Sequence, residues 1–392
     1  MSQKILVITT RPLEVNVSSS IRKIATIRSL IDAGANVTVI STEIPKDSPQ
    51  YNNQVNIENI NRITLKTGIF YNSGVAKLND YKKKKSIKRK LKNIARNIYY
   101  RINVYDPLKS CIKYIDTIKD ELDKKYNIII SISDPKSSHL LALALLKKRV
   151  TSCDKYIQIW GDPMYLDITN KSIVPKYIIK REEQKLLKRP DKIYYVSPLT
   201  MEEEKKLFPE YAHKMDVLFP TYEKESIYEP VTKIKKIGYF GDYNSNIRDI
   251  RPLYNAIKNS NYELIIFGNS DLELESTKNI KVNGRIPFEK VKEFEEKVDL
   301  LVHISNKTGT QIPAKIYQYM GTNKPILFIL DGPKELLKKV FSPFNRVIFC
   351  ENNQQDILRS IEEFNSGDIN IELKPIENFK NKSCAKKILE KV

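Results

Sequence analysis

Short apolar runs recur along the chain, separated by longer stretches in which apolar residues return every three or four positions. Residues 4–9 (KILVIT), 36–41 (NVTVIS), 127–133 (NIIISIS), 155–160 (KYIQIW) and 192–196 (KIYYV) are of the first kind, and each reads as a strand buried on both faces. A weaker strand is expected within 57–65, and a last one of this half at 215–219. The helical pattern covers 19–33, ending at Gly34, then 107–124, a segment running to Lys148, 174–188 and a segment from Pro198. Residues 220–233 hold two prolines and several charges without periodicity, as a linker does. A second set follows: strands at 237–240, 263–267, 280–282, 298–304 and 326–330, with helices starting near Asp249 and Phe288. This alternation predicts an α/β chain of two Rossmann-like doubly wound domains facing across a cleft. Their expected limits are 1–219 and 234–376, joined by the linker, with a basic helix in 377–392 packing back toward the first domain.

Residues 305–325 (SNKTGTQIPAKIYQYMGTNKP) separate two of these apolar runs. Pro313 suits the first turn of a helix, Ile316, Tyr319 and Met320 repeat at helical spacing, and Gly321, Asn323 and Pro325 stop it. The first turn carries Lys315 and no acid, which opposes the helix dipole by roughly 0.3–1 kcal/mol. An anion over the N–H groups of Thr310, Gln311 and Ile312, with Lys315 as a second contact, would remove the conflict. The plain alternative is a Lys315 that snorkels into solvent.

A chain of 392 residues exceeds the size at which one core keeps growing, and 41% hydrophobic with 29% charged residues is ordinary for a globular protein. No apolar run approaches the ~20 residues that span a bilayer, and the N-terminus enters a strand at once without a signal-peptide pattern. Cys111, Cys153, Cys350 and Cys384 lie far apart, and with His139, His213 and His303 they form no metal-ligand spacing. The expectation is a cytoplasmic protein, free or at the inner face of the membrane, with no bound metal. The net charge of +20 calls for an anionic partner. Ten Lys or Arg and no acid fall between 82 and 101, where Ile87, Leu91, Ile94, Ile98 and Ile102 recur at helical steps. Such a helix, expected over about 82–104, lies in an anionic membrane interface or packs its stripe on the domain core.

Loops at the carboxyl ends of strands hold the polar candidates. The first half offers Arg11, Ser18, Ser137, His139 and Asp162; the second offers Asp242, Asn244, Arg248, Asn269, Lys307, Thr310 and Lys315. Cations and helix starts on the second half suit a diphosphate, and the first half brings a carboxylate.

Residues 133–140 (SDPKSSHL), 160–163 (WGDP) and 191–197 (DKIYYVS), with 238–250 (GYFGDYNSNIRDI) and 309–327 (GTQIPAKIYQYMGTNKPIL), carry a resemblance. The chain resembles family 4 type retaining glycosyltransferases of the GT-B fold, common in bacterial cell-surface polysaccharide assembly. That resemblance implies hexosyl transfer from a nucleotide-diphosphate sugar to a hydroxyl of a glycan or lipid-linked acceptor, without a cofactor. It assigns Arg248 and Lys315 to the donor diphosphate and lays the loop of Thr308, Gly309, Thr310 and Gln311 against the sugar and phosphates; Asp242 and Asn244, by their place at a strand end, and Ile312, by its amide at the helix start, join the expected donor site. Gln318 stands where the family usually has a glutamate that binds ribose; an amide accepts the same bonds without charge assistance. The loop 10–18 lacks the glycines usual in the family, which leaves Arg11 and Ser18, with His139, on the acceptor side. Asp162 is the candidate that orients acceptor or sugar hydroxyls, or else an Asx-turn residue before Pro163.

Other readings remain. A sugar-nucleotide epimerase on the same fold would need more acid–base groups at the sugar, and a non-catalytic scaffold would explain Gln318. A nucleic-acid-binding protein fits the charge, but the 22 tyrosines are scattered rather than grouped as stacking platforms.

Overall fold

The computed structural model describes every residue except 1, 16, 47–50, 52–59, 68–93, 95–97, 100, 169, 171, 223, 391 and 392. It divides into two compact units, Met1–Phe219 with Cys384–Val392, and Pro220–Ser383.

Unit 1 is a parallel sheet of β1 (Lys4–Ile8), β2 (Asn36–Thr42), β3 (Asn61–Leu65), β4 (Lys125–Ile132), β5 (Ser152–Trp160), β6 (Lys192–Tyr195) and β7 (Met215–Val217). Their order is β3-β2-β1-β4-β5-β6-β7. Alternate residues of one strand feed two cores: Ile5 and Val7 point to one face, Leu6 and Ile8 to the other. The helices are α1 (Ser18–Asp32), α2 (Ser137–Lys147), α3 (Lys176–Leu187) and α4 (Pro198–Leu207). After α1 the chain turns at Gly34, whose φ of 84° suits a residue without a Cβ.

The helix expected over 107–124 is instead a 3-10 helix, Pro107–Thr117, followed by a short one, Lys119–Glu121. The buried Leu108, Cys111, Ile115 and Ile118 are spaced by three and four, which serves either winding, so the pattern could not separate them. Of the strand expected in 57–65, residues 61–65 form β3 and 57–59 lie outside the described residues. Of the basic segment, only Ile94, Ile98, Tyr99, Arg101 and Ile102 are described as helical.

Unit 2 is a parallel sheet of β8 (Lys236–Phe240), β9 (Glu263–Phe267), β10 (Ile280–Asn283), β11 (Leu300–Ile304), β12 (Ile326–Leu330) and β13 (Ile348–Glu351), in the order β10-β9-β8-β11-β12-β13. Its helices are α5 (Arg251–Lys258), α6 (Phe288–Lys297), α7 (Lys315–Tyr319), α8 (Lys334–Phe341) and α9 (Gln354–Ser366). Ile237, Tyr239, Val302 and Ile304 pack with Leu253 and Ile257 of α5 and Ile357 and Ile361 of α9. On the other face Phe328 meets His303 and Phe341 edge-on. The chain past Pro220 lies along this unit rather than swinging free: Tyr222 N–H donates to Phe379 O and Ser226 N–H to Gly321 O, both at 2.9 Å. The last helix, α10 (Asn381–Leu389), places Cys384, Ala385 and Ile388 in the unit 1 core beside Ile27 and Leu30.

Helix α7 begins at Lys315, not at Pro313. The carbonyls of Pro313 and Ala314 are taken by Ile316 and Tyr317 in three-residue turns, and Asn306 Nδ2 donates to Gln311 O at 3.0 Å. The amides of Thr310, Gln311 and Ile312 therefore belong to a loop, not to a helix first turn.

In each sheet one strand has the next strands of the chain on both sides: β1 lies between β2 and β4, and β8 between β9 and β11. At such switch points open α/β sheets bind ligands, beyond the carboxyl ends of the strands. The loops after β8 and β9 cross there in close contact. A Cβ on Gly268 would fall 2.0 Å from the carbonyl oxygen of Gly241. Gly268→Ala is expected to cost about 1–3 kcal/mol, lowering the melting temperature by several degrees, whereas Gly284→Ala, with nothing within 4 Å, is expected to leave it unchanged. Paired thermal melts of the two variants check this.

Candidate active site

At the unit 1 switch point, Thr10 follows β1 and is stitched to the start of α2: its N–H donates to Ser138 Oγ at 3.0 Å and its hydroxyl meets Ser137 Oγ at 2.7 Å. Asp106 accepts from the same Ser137, through N–H at 3.1 Å and hydroxyl at 2.7 Å. Asp134, just past β4, is the centre of the charge network. Arg22 of α1 donates to Ser133 O at 3.0 Å, and Lys23 Nζ donates to Asp134 O. Lys136 Nζ lies 2.5 Å from Asp134 Oδ1 and 3.3 Å from Asp167 Oδ2. Past β5, Asp162 N–H donates to Asp134 Oδ2 at 3.3 Å, and the two carboxyls are themselves hydrogen-bonded. Arg11, Asp106, Asp134, Lys136, Asp162 and Asp167 line a cavity of about 370 Å³.

Electrostatics split this cluster into different protonation states. Burial, together with Asp134, pushes the Asp162 carboxyl up to about 7. Burial also works against the Asp134 carboxylate, but Lys136 and Arg22 outweigh it and hold that group below the usual range. Burial lowers Lys136, yet Asp134, Asp162 and Asp167 together raise it. The Lys23 ammonium is pulled well down by burial, then by Arg11 and Arg22. Behind the cluster, Glu183 of α3 accepts from the amides of Met164 and Tyr165 at 2.7 and 2.8 Å and so fixes the loop between Asp162 and Asp167; burial lifts it to about 7.

Arg11 and Asp162 thus reach the cavity, with Arg11 Nη1 donating to Ser19 Oγ at 3.1 Å. Ser18 opens α1, and its side chain lies outside the described residues. His139 is not among the lining residues. It is fully buried, with Nδ1 2.7 Å from Ser131 Oγ and its ring 4.3 Å from that of Trp160, and burial drives it down to about 3. That environment keeps it neutral and makes it a packing residue. Asp134, Lys136, Asp106 and Asp167 were missed by sequence reasoning. One signal was available: Lys23 falls in register with Ser20, Ile27 and Leu30, all buried, so a cation stood on the core stripe of α1.

At the unit 2 switch point, Arg248 closes a turn with Asn244, Arg248 N–H donating to Asn244 O at 2.8 Å. Its guanidinium donates to Asp242 O at 2.8 Å and to Asn306 Oδ1 at 2.9 Å, joining the loop after β8 to the loop after β11. Both acceptors are neutral. Asn244 itself caps the turn, accepting from Asn246 N–H at 3.0 Å. The Asp242 carboxylate accepts from Asn269 N–H at 2.9 Å and is paired with Arg285. Lys307 turns the other way, donating to Ser245 O at 3.0 Å and facing Asp249 at 3.3 Å.

Lys315 opens α7, but its charge is answered from within the unit. Its ammonium faces Glu295 of α6 at 3.5 Å, and Lys292 faces the same fully buried carboxylate at 2.8 Å, so two cations share one anion. Burial lowers Lys315 against the pull of Glu295. Of the loop 308–312, Thr308 is exposed, Gly309 has φ 82°, and Thr310, Gln311 and Ile312 are half-buried. Gln318 Nε2 donates to Thr221 O at 3.0 Å, a contact that a glutamate could not make. Asn306, Arg285 and Glu295 went unnoticed in the sequence because each acts through a neighbour distant along the chain.

The Asp162 carboxyl gives a pH prediction. Its folded-state pKa is raised above the ordinary value, so the folded state holds its proton more tightly than the unfolded one. The resulting stability is present below the unfolded carboxyl pKa and lost as pH rises through about 7. Asp162→Asn keeps a donor to Asp134 and cannot ionise; its melting temperature is expected to gain on the wild type between about pH 5 and 8. Melts across that range check it, and a constant difference would contradict it.

No protein-family model and no curated protein matches the chain. Solved structures do. The catalytic domain of starch synthase IV from Arabidopsis thaliana, bound to ADP and acarbose, aligns over 100% of this chain and 96% of its own at 9% identity and a TM-score of 0.61. The lipopolysaccharide outer core galactosyltransferase WaaB, in its apo form, aligns over 98% and 99% at 13% identity and a TM-score of 0.58. HepE of Anabaena, in complex with UDP-glucose, aligns over 98% and 95% at 12% identity and a TM-score of 0.53. The shared feature is the fold, and this chain has the two-Rossmann-domain fold called GT-B.

Proposed function

We propose that this protein is a glycosyltransferase. It moves a hexosyl group from a nucleotide-diphosphate sugar to a hydroxyl of a glycan or lipid-linked acceptor, with retention, in cell-surface polysaccharide assembly. The observation that carries the reading is Arg248: a half-buried guanidinium held by two neutral oxygens at a sheet switch point, its charge answered by neither of them. A pyrophosphate is the anion such a group fits, because its planar donors pair with phosphate oxygens. The neighbours solved with UDP-glucose and with ADP support the same assignment for the donor.

Breaking the bond between sugar and diphosphate places negative charge on the leaving phosphate. Arg248 and the Lys315–Glu295–Lys292 group, which carries one net positive charge, stabilise that charge without reorganising. Thr308, Gly309, Thr310, Gln311 and Ile312 supply loop amides, Asp242 and Asn244 shape the loop beside them, and Gln318 keeps its amide oxygen for ribose. Arg11, Ser18 and Asp162 serve the acceptor side of unit 1. Asp162, with a proton that it releases near neutrality, orients a hydroxyl as donor or acceptor.

One observation favours a second reading. The Asp134–Asp162 pair and the neighbouring Asp167 form the kind of acid–base cluster that a sugar-nucleotide epimerase needs. Product analysis with a UDP-sugar, with and without acceptor, separates the two.

A thermal-shift panel with UDP, GDP, CDP and ADP tests the donor site. One nucleotide is expected to raise the melting temperature of the wild type, and Arg248→Ala to lose most of that rise, read against its own unliganded melting temperature, which loss of the hydrogen bonds to Asp242 and Asn306 lowers. Losing a charged contact of this kind weakens binding by roughly tenfold or more. No response to any of the four in the wild type would favour the scaffold reading.

A further inference from the structure

We infer that unit 2 carries a second small-molecule site, separate from Arg248, for a zwitterion of amino-acid size that bears one ammonium and one carboxylate. A cavity of about 290 Å³ opens beyond the carboxyl ends of β11, β12 and β13. That volume is at the small end of the range for ligand pockets. Its walls are mostly polar, with Asp249, Lys307, Asp331, Lys334, Glu351 and Asn352 among the lining residues.

The pairings around the cavity leave one charge of each sign over. Asp249 is engaged twice: the Arg251 guanidinium donates to it through Nε at 2.9 Å and Nη2 at 2.7 Å, and Lys307 Nζ faces it at 3.3 Å. Arg251, and Lys307 after it, hold that carboxyl down at about 2. Two cations thus share one anion, and Lys307 is the one that lines the cavity. Lys334 and Glu351 cancel each other. Asp331 is the remaining carboxylate, and among the described residues no ion pair reaches it. Its side chain accepts from Gly332 N–H and Asn352 Nδ2, both neutral, at 3.1 Å.

A single ligand with both charges completes both walls. Its carboxylate answers Lys307, and its ammonium, which has three donors and no acceptor, answers Asp331. Asn352 sharpens the choice. Its Nδ2 donates to Asp249 O and to Asp331 Oδ2, each at 3.1 Å, and neither of these oxygens can donate, so the amide orientation is fixed. Its Oδ1 is left buried beside Asp331 without a partner among the described residues, an acceptor that a group with several donors relieves. A lone anion would meet Asp331 and a lone cation would meet Lys307, so repulsion works against each. The backbone sets the site in advance. Ser305 Oγ donates to Asp331 O at 2.9 Å and accepts from Asp331 N–H at 2.6 Å, and Lys307 N–H donates to Ile247 O at 2.8 Å. The last bond belongs to the turn that carries Arg248. The site does not depend on the transferase reading, because Lys307 and Asp331 take no part in the donor contacts proposed above.

Isothermal titration calorimetry of the full chain, without nucleotide, tests the proposal. The probes are glycine, L-serine and L-glutamine, with methylammonium chloride, sodium acetate and glycerol as single-charge and uncharged controls at matched ionic strength. At least one amino acid is expected to bind at concentrations up to about 10 mM, and every control at least about tenfold more weakly. Asp331→Asn, which keeps an acceptor toward Gly332, and Lys307→Gln are each expected to weaken that binding at least about tenfold. The two variants sit on separate loops, so loss of the fold in one, read from its melting curve, leaves the other to decide. Three results would overturn the proposal: no amino acid binds the wild type, a control binds as tightly as the amino acids do, or a folded variant binds as the wild type does. Failure of the donor reading would move none of these outcomes, since no nucleotide is present.

Discussion

A guanidinium held by neutral oxygens is the constraint around which unit 2 is arranged. Arginine has no acceptor, so the oxygen of Asn306 must face Arg248 and its nitrogen must face the Gln311 carbonyl. That one amide orientation couples the turn after β8 to the loop before α7. Lys307 reinforces the coupling, with its N–H on Ile247 O and its ammonium on Ser245 O. The loops are thereby set before any ligand arrives, which is what electrostatic stabilisation of a leaving group requires. The Arg248 guanidinium is half-buried and meets neutral acceptors, which leaves its charge available to an anionic ligand.

Unit 1 handles its charges differently. Four carboxyls, those of Asp106, Asp134, Asp162 and Asp167, surround Lys136 and the basic face of α1. Ionising all of them in a buried place is unfavourable: burial raises Asp106, and burial together with the neighbouring Asp134 pushes Asp162 up to about 7. A Cβ at Gly161 would lie 2.8 Å from Asp134 Oδ2 and closer still to the Arg22 guanidinium, so any larger residue there would displace those two side chains. A titrating group near neutrality is thus a product of the packing of α1 against the ends of β4 and β5.

The strands were legible in the sequence because parallel strands between two helical layers are apolar on both faces, and runs such as KILVI and ILFIL leave no other comfortable place. The segment 107–124 was legible as helical but not as 3-10, since its buried positions suit both windings. The short α7 was misjudged at its start because loop bonds from Asn306, distant in the helix pattern, hold Gln311 and its neighbours out of it. Asp162 stood out in the sequence because it comes just after β5, and Arg248, eight residues past β8, because of its loop and the resemblance that loop carries. Gln318 shows the opposite case. Its departure from glutamate looked like a lost ligand, whereas its amide is needed to hold the Thr221 carbonyl. Lys315 was expected to face an anion, and it faces Glu295, a carboxylate on a helix that no local spacing could connect to it.

If Arg248 stands ready for a pyrophosphate, a crystal structure of the protein with a nucleoside diphosphate is the decisive experiment. Phosphate oxygens are expected within hydrogen-bonding distance of the Arg248 guanidinium, with the loop 308–312 against them. A diphosphate bound elsewhere, with Arg248 still engaged only by Asp242 and Asn306, would contradict it.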